Sequence, residues 1–377
     1  MQKKILILSY SHLKSDPRVM RQIEALRGLY TVETCGLSSS EADGIVHHAI
    51  YQIPPFSLFR KIKRVLFFYF RLYDLYYWDD MRKELAATFQ KNDYTAIIAN
   101  DIQTLPLALL ISAGKENVYF DAHEYHPKEF EDNTSWRLFH KPYVSYLCKK
   151  YIPRAAAFST VAEGIAKQYE KFIGKKPELI TNATRFHPLN PNPVNPEHIK
   201  LIHHGAAIRS RKIECMIDMA NLLDKRFSMD FMLVGNDREY TDILKQRAGK
   251  NPGIRFIEPV SSSDICPFTN AYDLGIFLLP PTNFNYLHAL PNKLFEFLQA
   301  RLGIVVSPNP EMAAFVNTSR LGIVSSDYTP EAMADAINKL TTAQITAFKQ
   351  QAHAIAQQES AEANIRRIQA IIGWISH

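Results

Sequence analysis

HALPNKLFEFLQARLGIVVSPNPE, running from His288 to Glu311, reads as loop, helix, strand and loop in succession. Pro291 opens the helix, where its missing N–H costs nothing. Leu294, Phe295, Leu298 and Leu302 then recur at helical spacing and lay down one apolar stripe. Ile304-Val305-Val306 is a short apolar run of the kind found in strands buried on both faces of a parallel sheet. Ser307-Pro308-Asn309-Pro310 ends it with turn chemistry. A helix N-terminus seats phosphate through its dipole and free amides, and Lys293 in the first turn adds charge there. Glu296 lies off the apolar stripe, where a carboxylate can accept from a pair of sugar hydroxyls. The combination points to a nucleotide-sugar site; the plain alternative is an ordinary α/β unit with a surface Glu and Lys.

The rest of the chain weighs between these readings. Its 377 residues are enough for two domains, and 46% hydrophobic with 22% charged residues is the balance of a folded soluble protein. Ile5-Leu6-Ile7-Leu8 is too short for the apolar core of a signal peptide, and no apolar run reaches membrane-spanning length. A cytoplasmic location is therefore expected. Cys35, Cys148, Cys215 and Cys266 are scattered, without a CxxC pair, as expected of reduced thiols. The formal charge of +6 falls almost wholly ahead of Pro177, which hints at an acidic surface near that half. No nucleic-acid-binding signature accompanies it, so a nucleic-acid partner is not expected.

Strand and helix patterns alternate along the chain. Apolar runs at Lys4–Ser9, Thr95–Ala99, Val118–Asp121 and Ala156–Thr160 read as strands. Asp16-Pro17 reads as an N-cap acid followed by proline at the first helical position. The Pro- and Asn-rich stretch Asn190–Pro196 reads as a linker, dividing the chain into domains 1–189 and 190–377. A second series follows, with strands at Lys200–His203, Phe231–Val234, Arg255–Ile257, Leu274–Leu278, Ile304–Val306 and Gly322–Val324. From Pro330 on the pattern is helical, and the terminal helix can pack back on the N-terminal domain. The expected fold is α/β, with two Rossmann-like domains whose parallel sheets face a central cleft.

Missing motifs exclude several chemistries. No G-x-G-x-x-G follows a strand, which argues against a nicotinamide or flavin enzyme. Walker A, D-x-D and H-E-x-x-H are also absent. A diphosphate here must be neutralised by basic side chains and helix ends; no metal and no cofactor is expected. The candidate is Gly205-Ala206-Ala207-Ile208-Arg209-Ser210-Arg211-Lys212, three cations just ahead of a helix start, where they oppose the dipole unless an anion sits there. The plain alternative is a solvated basic loop. Asp121-Ala122-His123-Glu124 lies at the carboxyl end of a strand, where chemistry is expected in this architecture; His123 is the stronger candidate, Glu124 and His126 the weaker ones. Phe56–Trp78 interleaves Arg60, Lys61, Lys63, Arg64 and Arg71 with dense aromatics. That pattern suits either an anionic membrane surface or a helix packed on the sheet.

In this order the motifs resemble those of the family 4 retaining glycosyltransferases of the GT-B fold, along nearly the whole chain. SYSHLKSDPRVMRQIEAL resembles that family's first loop and helix, which places Ser11 and His12 on the acceptor side, with Glu124. DAHE resembles the loop whose histidine approaches the donor sugar, and His123 is that match. FSTVAE and ITNAT resemble two further family segments. HGAAIRSRKIE resembles the phosphate-binding stretch, and LPNKLFEFLQARLGIVVS the E-x7-E region. Two positions depart from the pattern. The arginine that follows the family's glycine falls on Ala206, leaving Arg211 on the lysine position and Arg209 as a substitute. The first acid of E-x7-E falls on His288, and the second is kept as Glu296.

The resemblance implies a retaining transferase, metal-independent, with His123, Arg211 and Glu296 as catalytic residues. It implies a donor site of Gly205, Arg209, Lys212, His288, Pro291, Asn292, Lys293, Leu294 and Glu296. A nucleotide-diphosphate sugar is the expected donor, UDP-sugar before GDP-sugar, and the acceptor a glycan or lipid-linked glycan in surface polysaccharide synthesis. The protein would sit at the cytoplasmic face of an anionic membrane as a peripheral partner. A non-hydrolysing nucleotide-sugar epimerase and a non-catalytic partner protein of the same fold are the rival readings.

Overall fold

A computed structural model of the chain describes residues 3–50, 58–235 and 237–376, with side chains omitted for 58–61. It divides into two compact units, Met1–Ile180 with Asn364–His377, and Thr181–Ala363.

The first unit runs β1 (Lys4–Leu8), α1 (Pro17–Leu26), β2 (Thr31–Gly36), β3 (Val46–Ala49), α2 (Leu58–Tyr69), α3 (Tyr73–Tyr77), α4 (Asp80–Phe89) and β4 (Ala96–Asn100). It continues through α5 (Leu105–Ile111), β5 (Val118–Asp121), α6 (Lys141–Tyr151), β6 (Ala157–Thr160), α7 (Glu163–Ile173) and β7 (Glu178–Leu179). The sheet is parallel throughout, in the order β3-β2-β1-β4-β5-β6-β7. Its central strands carry apolar residues on both faces because helices cover both sides; Ile5, Leu6 and Ile7 are fully buried. Asp16 caps α1 as the sequence predicts, accepting from the amides of Arg18 and Val19, with Pro17 at the first helical position.

The second unit runs β8 (Ile199–Ala206), α8 (Glu214–Asn221), β9 (Phe227–Val234), α9 (Arg238–Ala248), β10 (Ile254–Ile257), α10 (Ile265–Thr269) and β11 (Leu274–Phe277). Then come α11 (Phe284–Leu287), α12 (Asn292–Gln299), β12 (Gly303–Val306), α13 (Pro310–Thr318), β13 (Gly322–Val324), α14 (Pro330–Asn338), α15 (Thr342–Ile355) and α16 (Ala361–Ile375). Its parallel sheet has the order β10-β9-β8-β11-β12-β13. Strand order reverses between β1 and β4 in one sheet and between β8 and β11 in the other. Ligands of open α/β sheets sit at the carboxyl ends of strands beside such a switch point.

Two glycines set the position of α12 and β13. A Cβ on Gly275 of β11 would lie 2.3 Å from the Phe297 ring, so its absence lets α12 settle onto the sheet. A Cβ on Gly322 would lie 1.8 Å from the carbonyl oxygen of Ile304 on the neighbouring strand.

Several boundaries differ from the sequence-based expectation. The second unit begins at Thr181, ahead of the Pro- and Asn-rich stretch, because residues 181–189 pack on that unit: Asn182 Nδ2 donates to the Leu290 carbonyl at 3.0 Å, and Phe186 packs against its core. The stretch itself is irregular, and Asn192 donates to the Asn270 carbonyl. The terminal helix does return to the N-terminal domain as expected: within α16, residues from Asn364 belong to the first unit, with Ile368, Ile372 and Ile375 in its core. Pro291 is the N-cap of α12 and not its first helical residue. Of Phe56–Trp78, Phe56 and Ser57 and the side chains of Arg60 and Lys61 lie outside what is described. The remainder forms two helices, broken at Arg71, whose φ is +55°.

Candidate functional site

In the second unit, β8 ends in His203-His204-Gly205-Ala206, and α12 starts beside it. Gly205 has φ +128°, a backbone conformation that favours glycine. A Cβ there would meet Lys293, with Nζ at 3.2 Å and Cε at 3.6 Å. Lys293 is only 6% exposed, its Nζ lies 3.9 Å from the centroid of the Phe277 ring, and it has no hydrogen-bond partner among the described residues. Burial holds its amine well below the usual lysine range, and Arg211 nearby adds to the effect against the opposing pull of Glu296.

Glu296, one turn further along α12, brings Oε2 to 3.5 Å from His204 Nε2, without hydrogen-bond alignment. A carboxylate at this range favours an imidazolium, yet burial, followed by Lys293, pushes His204 down to about 3. His204 is therefore neutral at physiological pH. His203 is also held neutral, chiefly by burial, and its Nδ1–H donates to the Ile276 carbonyl at 3.0 Å. The result is a pocket of neutral imidazoles, one buried amine and one carboxylate beside a half-buried guanidinium, Arg211. Gly205, Lys293, Glu296 and Arg211 are thus brought together. His204 completes the group, although nothing in the sequence pattern singles it out.

The other predicted donor residues are engaged elsewhere. Arg209 donates to Asp237 at 2.7 Å and to Glu239 at 2.7 Å, and stacks over Tyr240. These acids hold its guanidinium toward the start of α9. Lys212, in the left-handed region with φ +53°, is exposed and 4.0 Å from Glu214. His288 follows α11, stacks on Phe284 and places Nδ1 3.2 Å from Glu311 Oε1 at the start of α13. A His–Glu pair thus stands at the position of the first acid, and its acid lies too far along the chain to be read as the partner of His288. Pro291, Asn292 and Leu294 form the positive end of α12; the Leu294 amide closes onto the Pro291 carbonyl at 3.2 Å.

In the first unit, the carboxyl ends of β1, β4 and β5 carry a second polar group. His123 has φ +47°, uncommon for a residue with a Cβ. Burial, then the neighbouring Glu129, raises the Glu124 carboxyl to about 7. Burial opposes charge on His126, but Glu129 Oε2 at 3.1 Å from its Nδ1 outweighs it and raises its pKa. Asp101 is held at about 2 despite burial, because Arg18 donates to both its oxygens at 2.9 Å. Gln22 bridges Asn100 and Asp121 beneath. Ser11 donates to Asp16 Oδ2 at 2.9 Å, and exposed His12 pairs with Ser38.

No group of three or more His, Cys, Asp or Glu among the described residues is arranged to hold a metal ion, and no helix among them is long and apolar enough to cross a membrane. One surface is unusual. Ile62, Val65, Leu66 and Tyr69 form a stripe at helical spacing on α2, and all are exposed, as are Phe70, Leu72 and Leu75. Phe68, Tyr73 and Tyr76 turn the other way, into an aromatic cluster with Tyr143. Arg64 joins that side, stacking over Tyr76 and pairing with Asp79 at 3.5 Å.

Residues 199–343 match the family model described as glycosyl transferases group 1. Among solved structures, HepE of Anabaena, in complex with UDP and glucose, superposes with a TM-score of 0.74 at 14% identity, over 99% of this chain and 100% of that one. Sucrose-phosphate synthase from Thermosynechococcus elongatus gives 0.74 at 12% identity, over 99% of both chains. WaaG, a glycosyltransferase involved in lipopolysaccharide biosynthesis, gives 0.69 at 10%, over 98% of this chain and 99% of that one. No curated protein sequence matches the chain. Identities this low carry the fold alone. The chain has the GT-B fold, and within it residues 199–343 are similar to the glycosyl transferases group 1 model.

Proposed function

We propose that the protein transfers a sugar from a nucleotide-diphosphate donor with retention of anomeric configuration, UDP-sugar ahead of GDP-sugar. The observation that carries this reading is the convergence of Gly205, Arg211 and Glu296 at the carboxyl end of β8, inside the region that matches the family. Arg211 and the positive end of α12 neutralise the leaving diphosphate as charge develops on it. Glu296 accepts from the ribose diol, and the His288–Glu311 pair reads sugar hydroxyls. His123 keeps the catalytic role toward the donor sugar that the resemblance implies, and Glu124 beside it serves the acceptor. The leaving diphosphate assists loss of the acceptor hydroxyl proton as the bond breaks, so no protein nucleophile is needed. HepE, crystallised with UDP and with UDP-glucose, supports UDP as first choice.

The acceptor is a glycan or lipid-linked glycan of a surface polysaccharide, and the enzyme acts as a peripheral protein at the cytoplasmic face. The outward apolar stripe of α2 with Lys63 and Arg71, both exposed, supports contact with an anionic leaflet. The test is a mass-spectrometric binding screen of nucleotide sugars, then transfer assays with and without EDTA. A UDP-sugar bound and transferred in EDTA is expected. An epimerised sugar, binding without turnover, or activity restored only by a divalent cation would refute the reading.

A further inference from the structure

We infer that Lys293 supplies from α12 the charge that the β8–α8 loop lacks at Ala206, and that its amine takes up a proton as a diphosphate arrives. The inference rests on the donor site proposed above. In this chain the loop holds alanine where a cation would be expected, and Arg209 is held by Asp237 and Glu239. Lys293 reaches the same place from the neighbouring helix. Its Nζ occupies the space beside Gly205 that any larger residue would fill, so the glycine gives the amine access to the loop.

The surroundings of that amine are incomplete as they stand. From β8 it faces His203 and His204, both neutral; from the turn after β8, Arg211; from its own helix, Glu296. None of these hydrogen-bonds to Nζ, which rests on the Phe277 ring face. A buried ammonium without a hydrogen-bonding partner is costly, so the free site favours the neutral amine. A diphosphate brings two or more negative charges and several acceptor oxygens, which reverses the balance.

The sign follows by linkage. The amine's pKa is depressed in the free protein and raised in the complex, so binding takes up a proton between those values. Affinity then falls with rising pH across that window, by about tenfold per unit for one proton. UDP phosphate and histidine titrations lie lower and that of the uracil imide lies higher, so about pH 8 isolates the lysine.

Calorimetry tests this with UDP, uridine and inorganic pyrophosphate, at about pH 8, in buffers of different ionisation enthalpy, with proton counts taken from UDP and uridine. The wild-type protein should take up about one proton per UDP bound and none with uridine. Lys293→Met should weaken UDP and pyrophosphate by about 10- to 100-fold, abolish the uptake and leave uridine affinity unchanged. Lys293→Met with Ala206→Arg should regain UDP affinity without proton uptake, because arginine is charged in both states. The wild-type measurement needs no variant to fold. Absence of proton uptake by the wild type, or equal UDP affinity in Lys293→Met, would overturn the inference while leaving the donor site standing. Failure of the wild type to bind UDP, and GDP titrated alongside it, would overturn the donor site and this inference with it.

Discussion

Replacing Glu296 by alanine separates the nucleoside part of the site from its diphosphate part. The carboxylate is mostly buried, with 18% side-chain exposure, and stands one turn into α12 beside neutral His204. Deleting it removes the acceptor we propose for two ribose hydroxyls, about 1.5–3 kcal/mol for a charged hydrogen bond, or roughly 10- to 150-fold in affinity. It also withdraws the carboxylate that favours protonation of Lys293, so that amine becomes harder to charge. The fold should tolerate the change, because a neutral Lys293 and a neutral His204 need no counter-ion. Calorimetry should show uridine and UDP weakened by similar factors and pyrophosphate affected far less. Lys293→Met should give the opposite pattern. Glu296→Gln should fall between, since an amide keeps one acceptor without the charge. If Glu296→Ala leaves uridine affinity unchanged, the assignment to the ribose is wrong.

Other outcomes follow from single contacts. Glu124 has a folded pKa of about 7, above its ordinary value, so its contribution to stability is full in acid and lost as pH rises through 7; Glu124→Gln should melt above the wild type at pH 8 and lose that advantage at pH 4, and a pH-independent difference would contradict the burial argument. Gly322→Ala should lower stability by about 1–3 kcal/mol or more, because its Cβ would meet the Ile304 carbonyl; an unchanged melting temperature would refute the clash. Anionic vesicles should bind the protein and neutral ones much less, and Val65→Ser with Tyr69→Ser should reduce that binding without lowering the melting temperature. Arg64→Gln should instead lower the melting temperature, since Arg64 packs on Tyr76 and pairs with Asp79; equal binding to both vesicle types would remove the membrane proposal.

The sequence by itself determined whatever depends on neighbours along the chain. Apolar runs and turn residues located the strands, Asp16-Pro17 marked the start of α1, and alternation of strand with helix dictated parallel sheets, because such sheets need crossover helices. The departures at Ala206 and His288 were also legible, as residue identities at spaced positions. Everything decided by contacts between distant segments was not. Lys293 falls among apolar neighbours in a helix whose inward face is set by how Phe297 packs on Gly275, so its burial could not be read from periodicity. Arg209 looked available because its partners, Asp237 and Glu239, come from the start of the next helix but one. Glu311 reaches His288 from across β12, and Arg18 of α1 finds Asp101 just past the end of β4. The unit boundaries moved for the same reason, since packing of Phe186 and of the α16 isoleucines, not the proline-rich stretch, decides to which core each end belongs. Local propensity and pattern act over a few residues. The charge state of a side chain depends on burial and on partners that only the tertiary fold brings within reach.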